Sequence, residues 1–304
     1  MNKSNALYKS RIDKVIDHLN ENLDRPVSLS ELAAVAFFSP FHFHRIFLAV
    51  TGETVKDFTN RSRNEKAARL LRFSNRSIAD ISIACGFSSV STLARSFKQY
   101  FDVAPGAYRK GAPIENSKIR KESAPINQYP CDRTREELER AFPVEIKKYP
   151  ERAIAYIRVT DAFREGVVVG AFERIVRWAK DMGLYESQTI FGMSKDDPEV
   201  TPKAKYRYEA CITLPSAFEI NPDSGVAMTT LPECVYAVTR ATGDLKVVGE
   251  AFNYLFDTWL INSTYECETQ PGMEIYLDKE NVCNWNHFDL EICIPVKAIK
   301  KYSI

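Results

Sequence analysis

Long apolar runs are missing from this sequence, and no segment approaches the roughly 20 apolar residues that a membrane-spanning helix needs. The first ten residues, MNKSNALYKS, lack the apolar core of a secretory signal peptide. The seven cysteines are odd in number and show no C-x-x-C spacing, which argues against a disulfide framework and against a zinc site. We therefore expect a cytoplasmic chain without metal, cofactor or membrane contact.

Catalytic motifs are also missing. Two of the four histidines, His42 and His44, lie two residues apart on a predicted helix and therefore point to different faces. No Ser-His-Asp arrangement, nucleophilic cysteine or phosphate-binding glycine loop stands out. The sequence favours a binding protein over an enzyme and offers no catalytic residue.

The net charge of the whole chain is close to zero, because 41 Lys and Arg are balanced by 40 Asp and Glu. Residues 1–112 hold 17 basic and 10 acidic side chains, a formal +7, and the remainder holds 24 and 30, a formal −6. A basic half can neutralise phosphates, whereas an acidic half avoids them or meets a cationic ligand. This division predicts two domains with different partners.

A helix-turn-helix pattern occupies residues 78–110. Ser77 and Asp80 have the spacing of a capping box, Gly86 supplies a turn, and a second helix follows from Ser89 to about Tyr100. Its packing stripe is Leu93, Phe97 and Tyr100 or Phe101, and its other faces carry Ser91, Thr92, Arg95, Lys98 and Gln99. Such a helix suits a DNA major groove, although an ordinary helical hairpin would show the same pattern.

The same pattern appears about 50 residues upstream. Ser28 and Glu31 have the spacing of a capping box, and Ser39 followed by Pro40 opens the next helix. This helix is predicted to bury Phe43, Phe47 and Val50 and to expose His42, His44 and Arg45. A charged helix from about Val55 to Phe73 joins the two units, and a first amphipathic helix containing Ile12, Val15, Ile16, Leu19 and Leu23 ends before Pro26.

Two such units joined by a long helix resemble the DNA-binding domain of the AraC/XylS family over residues 8–110. GF at 86–87, ARSFK at 94–98 and AP-x-x-YR at 104–109 carry the resemblance. The segment FDVAPGAYR has Asp102 where many family members have glycine. In this feature it resembles the branch that contains MarA, SoxS and Rob. The resemblance implies base-reading positions at Phe41, His44 and Arg45 in the first unit and at Val90, Ser91, Thr92, Ala94 and Arg95 in the second. Val90 and Ser91 replace a glutamine pair of that branch, which predicts a different DNA target because valine can contact only a thymine methyl group.

Residues 111–140 have linker composition, with Pro113, Pro125 and Pro130 among alternating charges. We therefore predict a DNA-binding domain over 1–112, a linker over 113–142 and a second domain over 143–304.

The second domain contains an internal repeat. RVTDAF at 158–163 matches RATGDL at 240–245, VVGAF at 168–172 matches VVGEAF at 247–252, and YEACITLP at 208–215 matches LEICIPV at 290–296. Each repeat predicts a strand, a helix and two more strands: 144–159, 164–182, 189–194 and 206–214, then 232–241, 247–261, 273–278 and 287–295. Two such units predict a curved antiparallel sheet with both helices on one side, and a ligand groove between the halves.

This half resembles the GyrI-like effector-binding domain, which also occurs in multidrug-sensing regulators, over residues 143–298. KDDPEVTPKAKYRYEACITLP at 195–215 and GMEIYLDKEN…FDLEICIPV at 272–296 carry the resemblance, and Asp161-Ala162 stands where the family usually has glycine. The predicted fold is therefore multidomain: an all-α double helix-turn-helix DNA-binding domain followed by an α+β GyrI-like domain.

Three glutamates are candidate effector contacts. Glu209 and Glu291 occupy equivalent positions of the repeat, whereas Glu274 has no acidic counterpart in I190-FGMS-194. A glutamate in an apolar strand is either solvent-exposed or buried for a reason, and the resemblance implies a carboxylate in the floor of an aromatic pocket. Candidate aromatic partners for a flat or cationic ligand are Tyr156, Tyr254, Trp259, Tyr276 and Trp285.

These observations predict a sequence-specific regulator whose second domain binds a small lipophilic or cationic effector. Double-stranded promoter DNA and that effector are the expected partners, with RNA polymerase as a further one, and the expected location is the bacterial nucleoid. Two alternatives stay open. The second domain could dock a protein or dimerise, or it could hydrolyse a small molecule, as some GyrI-like domains do with Glu, Tyr and Trp.

Overall fold

A computed structural model describes residues 3–114, 133–198, 200–221, 224–268 and 270–299. The chain divides into two compact units, Met1–Ser123 with Ile220–Ala227, and Ala124–Glu219 with Met228–Ile304. No helix among the described residues is long and apolar enough to cross a membrane. The six described cysteines are free thiols. The described part of the chain contains no cluster of side chains suited to a metal ion.

The first unit is helical. Its helices are α1 Lys3–Glu21, α2 Leu29–Val35, α3 Pro40–Thr51, α4 Val55–Phe73, α5 Ile78–Ala84, α6 Val90–Phe101 and α7 Pro105–Arg109. The five apolar residues predicted on α1 are buried, and four of them, Ile12, Val15, Ile16 and Leu19, pack with Leu32, Phe43, Phe47 and Phe58 in one core. The fifth, Leu23, lies beyond the end of α1. This core holds α3, and the predicted double helix-turn-helix arrangement is confirmed.

Serine caps explain where the short helices begin. The hydroxyl groups of Ser28, Ser39, Ser77 and Ser89 each accept a hydrogen bond from a backbone N–H in the first turn that follows. Neither predicted capping box is completed by a carboxylate that accepts from the cap's own backbone. Glu31 instead accepts from Arg25, and the hydroxyl of Ser77 donates to Asp80.

The structure corrects one detail of the predicted packing stripes and decides another that was open. Val50 is exposed, because Phe43 and Phe47 fill the inner face of α3 and the next turn of that helix leaves the core. Phe101, and not Tyr100, completes the buried stripe of α6 with Leu93 and Phe97.

The predicted linker contains a helix. Residues 115–132 lie outside the described residues, but α8, Arg135–Ala141, begins at a complete capping box between Thr134 and Glu137. This helix, which lies within the predicted linker, was not predicted from the sequence. Its charged composition reflects exposure, since α8 has no buried residue.

The second unit is a nine-stranded sheet with helices. The strands are β1 Glu145–Tyr149, β2 Arg152–Thr160, β3 Ile190–Ser194, β4 Arg207–Thr213, β5 Ala227–Leu231, β6 Cys234–Gly243, β7 Tyr265–Cys267, β8 Gly272–Tyr276 and β9 Phe288–Ala298. The helices are α9 Val167–Asp181 and α10 Leu245–Asn253, which continues as a π-helix over Tyr254–Leu260. A short 3-10 turn covers Lys203–Lys205.

The sheet is built from the predicted repeats. Its order is β1-β6-β9-β8-β3-β4-β2-β5, and β7 pairs with the end of β9. The repeats meet where β3 pairs antiparallel with β8, so that β6-β9-β8 mirrors β2-β4-β3. The predicted first strand at 144–159 is two strands. Pro150 and Glu151 interrupt the strand conformation, and β1 pairs with β6 of the other repeat.

Candidate functional site

The exposed face of α3 carries the first set of predicted DNA contacts. His42, His44 and Arg45 are exposed, whereas Phe43 and Phe47 anchor the opposite face in the core. The side chain of Phe41 lies outside the described residues. Ser39 and Pro40 fix the start of α3, whose second turn presents His44 and Arg45 outward.

The exposed face of α6 carries the second set. Val90, Ser91, Thr92, Arg95, Lys98 and Gln99 are exposed, and Ala94 is half-buried. The hydroxyl of Thr92 lies 2.9 Å from the Ser89 hydroxyl and 3.1 Å from the Ser88 hydroxyl, so this side chain also supports the helix cap. The exposed cations of α6 are Arg95 and Lys98.

A buried polar network in α4 links the two helix-turn-helix units. The guanidinium of Arg61 donates to both carboxylate oxygens of Glu53, at 3.2 and 2.7 Å, and to Glu65 at 3.1 Å. Glu53 follows α3, and Glu65 faces Tyr100 of α6. Burial raises the pKa of the Tyr100 phenol, and Glu65 raises it further. Since a buried ion pair tolerates little displacement, this network fixes the two recognition helices relative to α4.

A carboxylate lies among aromatic rings on the helix-covered face of the second unit. Glu274 and Tyr276 alternate with buried residues along β8 and therefore share one face of the sheet. The ring of Phe172, from α9, lies 5.0 Å from the ring of Tyr276 and 6.2 Å from that of Tyr208. The hydroxyl of Tyr208 donates a hydrogen bond to Oε2 of Glu274.

The Glu274 carboxylate has no cationic partner within the described parts of the chain, where its one hydrogen bond comes from Tyr208. Burial raises the pKa of Glu274, and the bond from Tyr208 opposes that rise. Burial, and then the nearby Glu274, raise the pKa of the phenols of Tyr208 and Tyr276. A carboxylate placed in this way can bind a cation whose apolar part packs on the surrounding rings.

Glu209 and Glu291 lie on the opposite face of the sheet. The register pairs Glu209 with Arg158 and Glu291 with Arg240, and both alternate with residues of the Glu274 face. Glu209 is fully buried and accepts a hydrogen bond from Nε of Arg158 at 2.8 Å. Glu291 accepts from Nζ of Lys147 at 2.6 Å. The structure therefore does not bring these two second candidates to Glu274.

The remaining aromatic candidates are spread over the domain. Tyr156 is buried on the Glu209 face, 5.1 Å from the Arg158 guanidinium. In the π-helix, Tyr254 contacts Phe142 and Trp259 stacks on Tyr265. Trp285 lies 5.8 Å from Phe288, and its indole N–H lacks a hydrogen-bond partner in the described residues. Of the predicted aromatic set, Tyr276 shares β8 with Glu274, which contributes to the raised pKa of its phenol.

Sequence reasoning missed Tyr208, Phe172 and Gly192. For Gly192 a signal was present, since this residue precedes Glu274 by the 82 residues that also separate Glu209 from Glu291. The register pairs Gly192 directly with Glu274, so the two equivalent positions meet where the repeats join.

Family comparisons agree with both halves of this description. Residues 142–297 match the GyrI-like small molecule binding domain. The chain belongs to this family. Residues 32–111 match a helix-turn-helix domain of the AraC type.

Similar proteins match the helical unit. The multiple antibiotic resistance protein MarA of Escherichia coli (strain K12) is 34% identical over 98 residues, which cover 32% of this chain and 77% of MarA. The transcriptional regulator Rob of Salmonella typhimurium is 37% identical over 94 residues, 31% of this chain and 32% of Rob. YbfP of Bacillus subtilis, an uncharacterized HTH-type transcriptional regulator, is 33% identical over 102 residues, 34% of this chain. The matched stretch spans only 35% of YbfP.

Two solved structures are similar to separate parts of the chain. The DNA-binding domain of AdpA, in complex with a target DNA, is 30% identical with a TM-score of 0.32, covering 33% of this chain and 91% of that one. The EcmrR C-terminal domain is 15% identical with a TM-score of 0.40, covering 52% of this chain and 99% of that one.

Proposed function

We propose that this protein is a transcriptional regulator that reads promoter DNA with α3 and α6 and binds a lipophilic cationic effector at Glu274. The observation that carries the effector proposal is the partly buried Glu274 carboxylate, which lies near aromatic rings and has no cationic partner among the described residues.

The DNA proposal is supported by the two capped helices and their exposed cations. Arg45 of α3 and Arg95 of α6 are exposed, and the buried side of each helix anchors it, through Phe43 and Phe47 in α3 and through Leu93, Phe97 and Phe101 in α6. We propose that one molecule places both helices in successive major grooves, about one turn (~34–36 Å) apart. The formal +7 of residues 1–112 favours the phosphate contacts that such binding needs.

Footprinting with promoter DNA tests this arrangement. We expect two protected grooves on one face for each bound protomer, and protection of a single groove would contradict it. Arg45→Ala should cost roughly 1–3 kcal/mol at a specific site if Arg45 makes a bidentate base contact. Arg177→Ala, which removes an exposed arginine of α9, is the matched control and should leave DNA affinity unchanged.

The effector proposal is tested with a cation and a neutral molecule of similar size. Calorimetric titration of methyltriphenylphosphonium and triphenylphosphine oxide compares the two ligands. Glu274→Gln keeps the shape of the side chain and removes its charge. It should therefore lower the affinity for the cation and leave the affinity for the neutral ligand unchanged. Glu291→Gln, on the opposite face, should affect neither. Equal losses for both ligands in Glu274→Gln would refute the charge argument.

The remaining parts of the proposal concern partners. A regulator that occupies promoters acts through RNA polymerase and localises with the nucleoid, and we propose both for this protein. A second domain that only docks a protein or dimerises would leave the thermal stability of the chain unchanged across a panel of lipophilic cations. Stabilisation by a cation, and its loss in Glu274→Gln, distinguishes effector binding from docking.

A further inference from the structure

We propose that Tyr208 seals the carboxylate of Glu274 in the ligand-free protein, and that a cationic effector enters only by displacing this phenol. The inference rests on the effector site proposed above and adds the regulation of that site.

The seal reaches across a whole strand. Tyr208 lies on β4, where it pairs with Ser194 of β3, and Glu274 lies on β8, where it pairs with Gly192 of β3. The phenol therefore passes over β3 before its hydroxyl donates to Glu274. Tyr208 is buried and Phe172 packs against its ring, so the bond is held from the helix side as well.

Gly192 provides the space for the seal. A Cβ atom at this position would lie 1.7 Å from the Tyr208 hydroxyl oxygen and 2.5 Å from its Cζ. The backbone of Gly192 does not lie in the left-handed region, so its conformation alone does not require glycine. The missing side chain therefore serves the close approach of the phenol and not a turn.

The repeat shows that the seal is not a requirement of the fold. At the 82-residue offset, Gly192 corresponds to Glu274 and Tyr208 corresponds to Leu290. One repeat supplies the phenol and its space, and the other supplies the carboxylate. Both repeats form the same strands with one such bond between them, so the sheet does not need a second copy.

Competition follows from the chemistry of the bond. The phenol O–H donates to Oε2 and partly neutralises the negative charge that a cation would meet, and hydrogen bonds to charged groups are stronger than those between neutral groups. A cationic ligand must replace that bond, whereas a neutral ligand gains nothing from the carboxylate. An effector must therefore gain more binding free energy at the carboxylate than the Tyr208 hydrogen bond supplies. This requirement makes the site selective among cations.

Calorimetric titration of full-length protein with methyltriphenylphosphonium and triphenylphosphine oxide at pH 8 tests the seal. Tyr208→Phe keeps the ring and removes the donor, so the cation should bind about tenfold or more tightly, as expected from loss of a competing charged hydrogen bond. The neutral ligand should bind as it does to the wild type.

Gly192→Ala provides an independent variant, because the added methyl group expels Tyr208 from its position. It should also tighten cation binding. Gly170→Ala is the matched control, since a Cβ atom on this helical glycine meets nothing within 4 Å, and it should leave both affinities unchanged. Thermal melting of each variant confirms that it is folded.

The outcomes separate the two proposals. Cation affinity that is unchanged or weaker in both variants, with wild-type binding intact, overturns the seal and leaves the effector site standing. No cation binding by any of the proteins overturns both. A carbon-13 NMR titration of ligand-free protein gives a further readout. The pKa of Glu274 should rise in Tyr208→Phe, because the hydrogen bond from the phenol lowers this pKa in the wild type. An unchanged pKa contradicts the seal.

Discussion

We expect Glu274 to reduce the stability of the domain that holds it. Its pKa is raised in the folded chain, mainly by burial, so the fold favours the protonated carboxyl group. The resulting penalty is absent below the unfolded pKa of about 4.3, grows as the pH rises from there towards the folded pKa, and is complete above it. A residue that destabilises its own domain at neutral pH is one expected to serve a ligand.

Glu274→Gln should therefore stabilise the second domain at pH 7 to 8, and the gain should disappear as the pH falls towards 4. All three tryptophans, Trp178, Trp259 and Trp285, lie in this domain, so urea unfolding followed by tryptophan fluorescence reports on it alone. Glu165→Gln, which changes an exposed glutamate, is the control and should show no such pH-dependent gain. A loss of stability at pH 8 would contradict the burial argument.

Equivalent arginines of the two repeats have different environments. Arg158 and its partner Glu209 are 2% and 0% exposed, whereas the side chain of Arg240 is 63% exposed beside Asp289. Removing one member of a buried ion pair leaves the other charged without compensation, which typically costs about 3–5 kcal/mol. Exposed pairs contribute little because water screens them.

Arg158→Met should thus lower the free energy of unfolding of the second domain by up to about 3–5 kcal/mol, and Lys195, whose Nζ lies 3.8 Å from Oε2 of Glu209, offsets part of this loss. Arg240→Met, at the equivalent strand position, should change it little. The same fluorescence measurement compares the two. Similar losses in both variants would show that the cross-strand position itself, and not burial, determines the cost.

At the scale of elements, the turn of the second helix-turn-helix unit depends on one glycine. Gly86 has a φ of +73°, and a Cβ there would lie 2.0 Å from the carbonyl oxygen of Leu23 and 2.7 Å from a nitrogen of Arg63. The same guanidinium donates to the Leu23 carbonyl at 2.9 Å, so the turn, α4 and the end of α1 meet at this point. The equivalent turn of the first unit has Phe37 in the same backbone region, with its side chain exposed.

Gly86→Ala should destabilise the helical unit well beyond the cost of the left-handed backbone alone, which is about 1–2 kcal/mol. Gly111→Ala isolates that backbone cost, because Gly111 has a φ of +94° and a Cβ there meets nothing within 4 Å. Thermal unfolding followed by far-ultraviolet circular dichroism measures both. Equal losses would mean that the contact with Leu23 relaxes without cost.

Local signals in the sequence predicted the elements better than the site. Serine caps placed the starts of α3 and α6, because a cap needs only residues within one turn. The 82-residue offset predicted the repeat, whereas the capping box of Thr134 and Glu137 was overlooked within linker-like composition. The Tyr208–Glu274 bond and the pairing of Glu209 with Arg158 could not be predicted, because each depends on a strand register that no local pattern specifies.

At the scale of the whole molecule, charge and fold divide at the same place. The helical unit carries the formal positive charge and the sheet domain carries the negative charge. The recognition helices are supported by the core and the ion pairs of their own unit, and the Glu274 site is built from strands and a helix of the other. Each half therefore contains the groups that its proposed function needs.

Residues 1–112 expressed alone should consequently fold and bind DNA. Each neutralised phosphate contributes about −0.9 to the slope of log K against log salt, so about five contacts would give a slope of about −4 to −5. Fluorescence anisotropy over a salt series measures this slope, and circular dichroism confirms that the fragment is helical. Arg95→Ala in the fragment should weaken its binding to DNA. A folded fragment without affinity for DNA would show that residues 113–304 contribute to DNA binding.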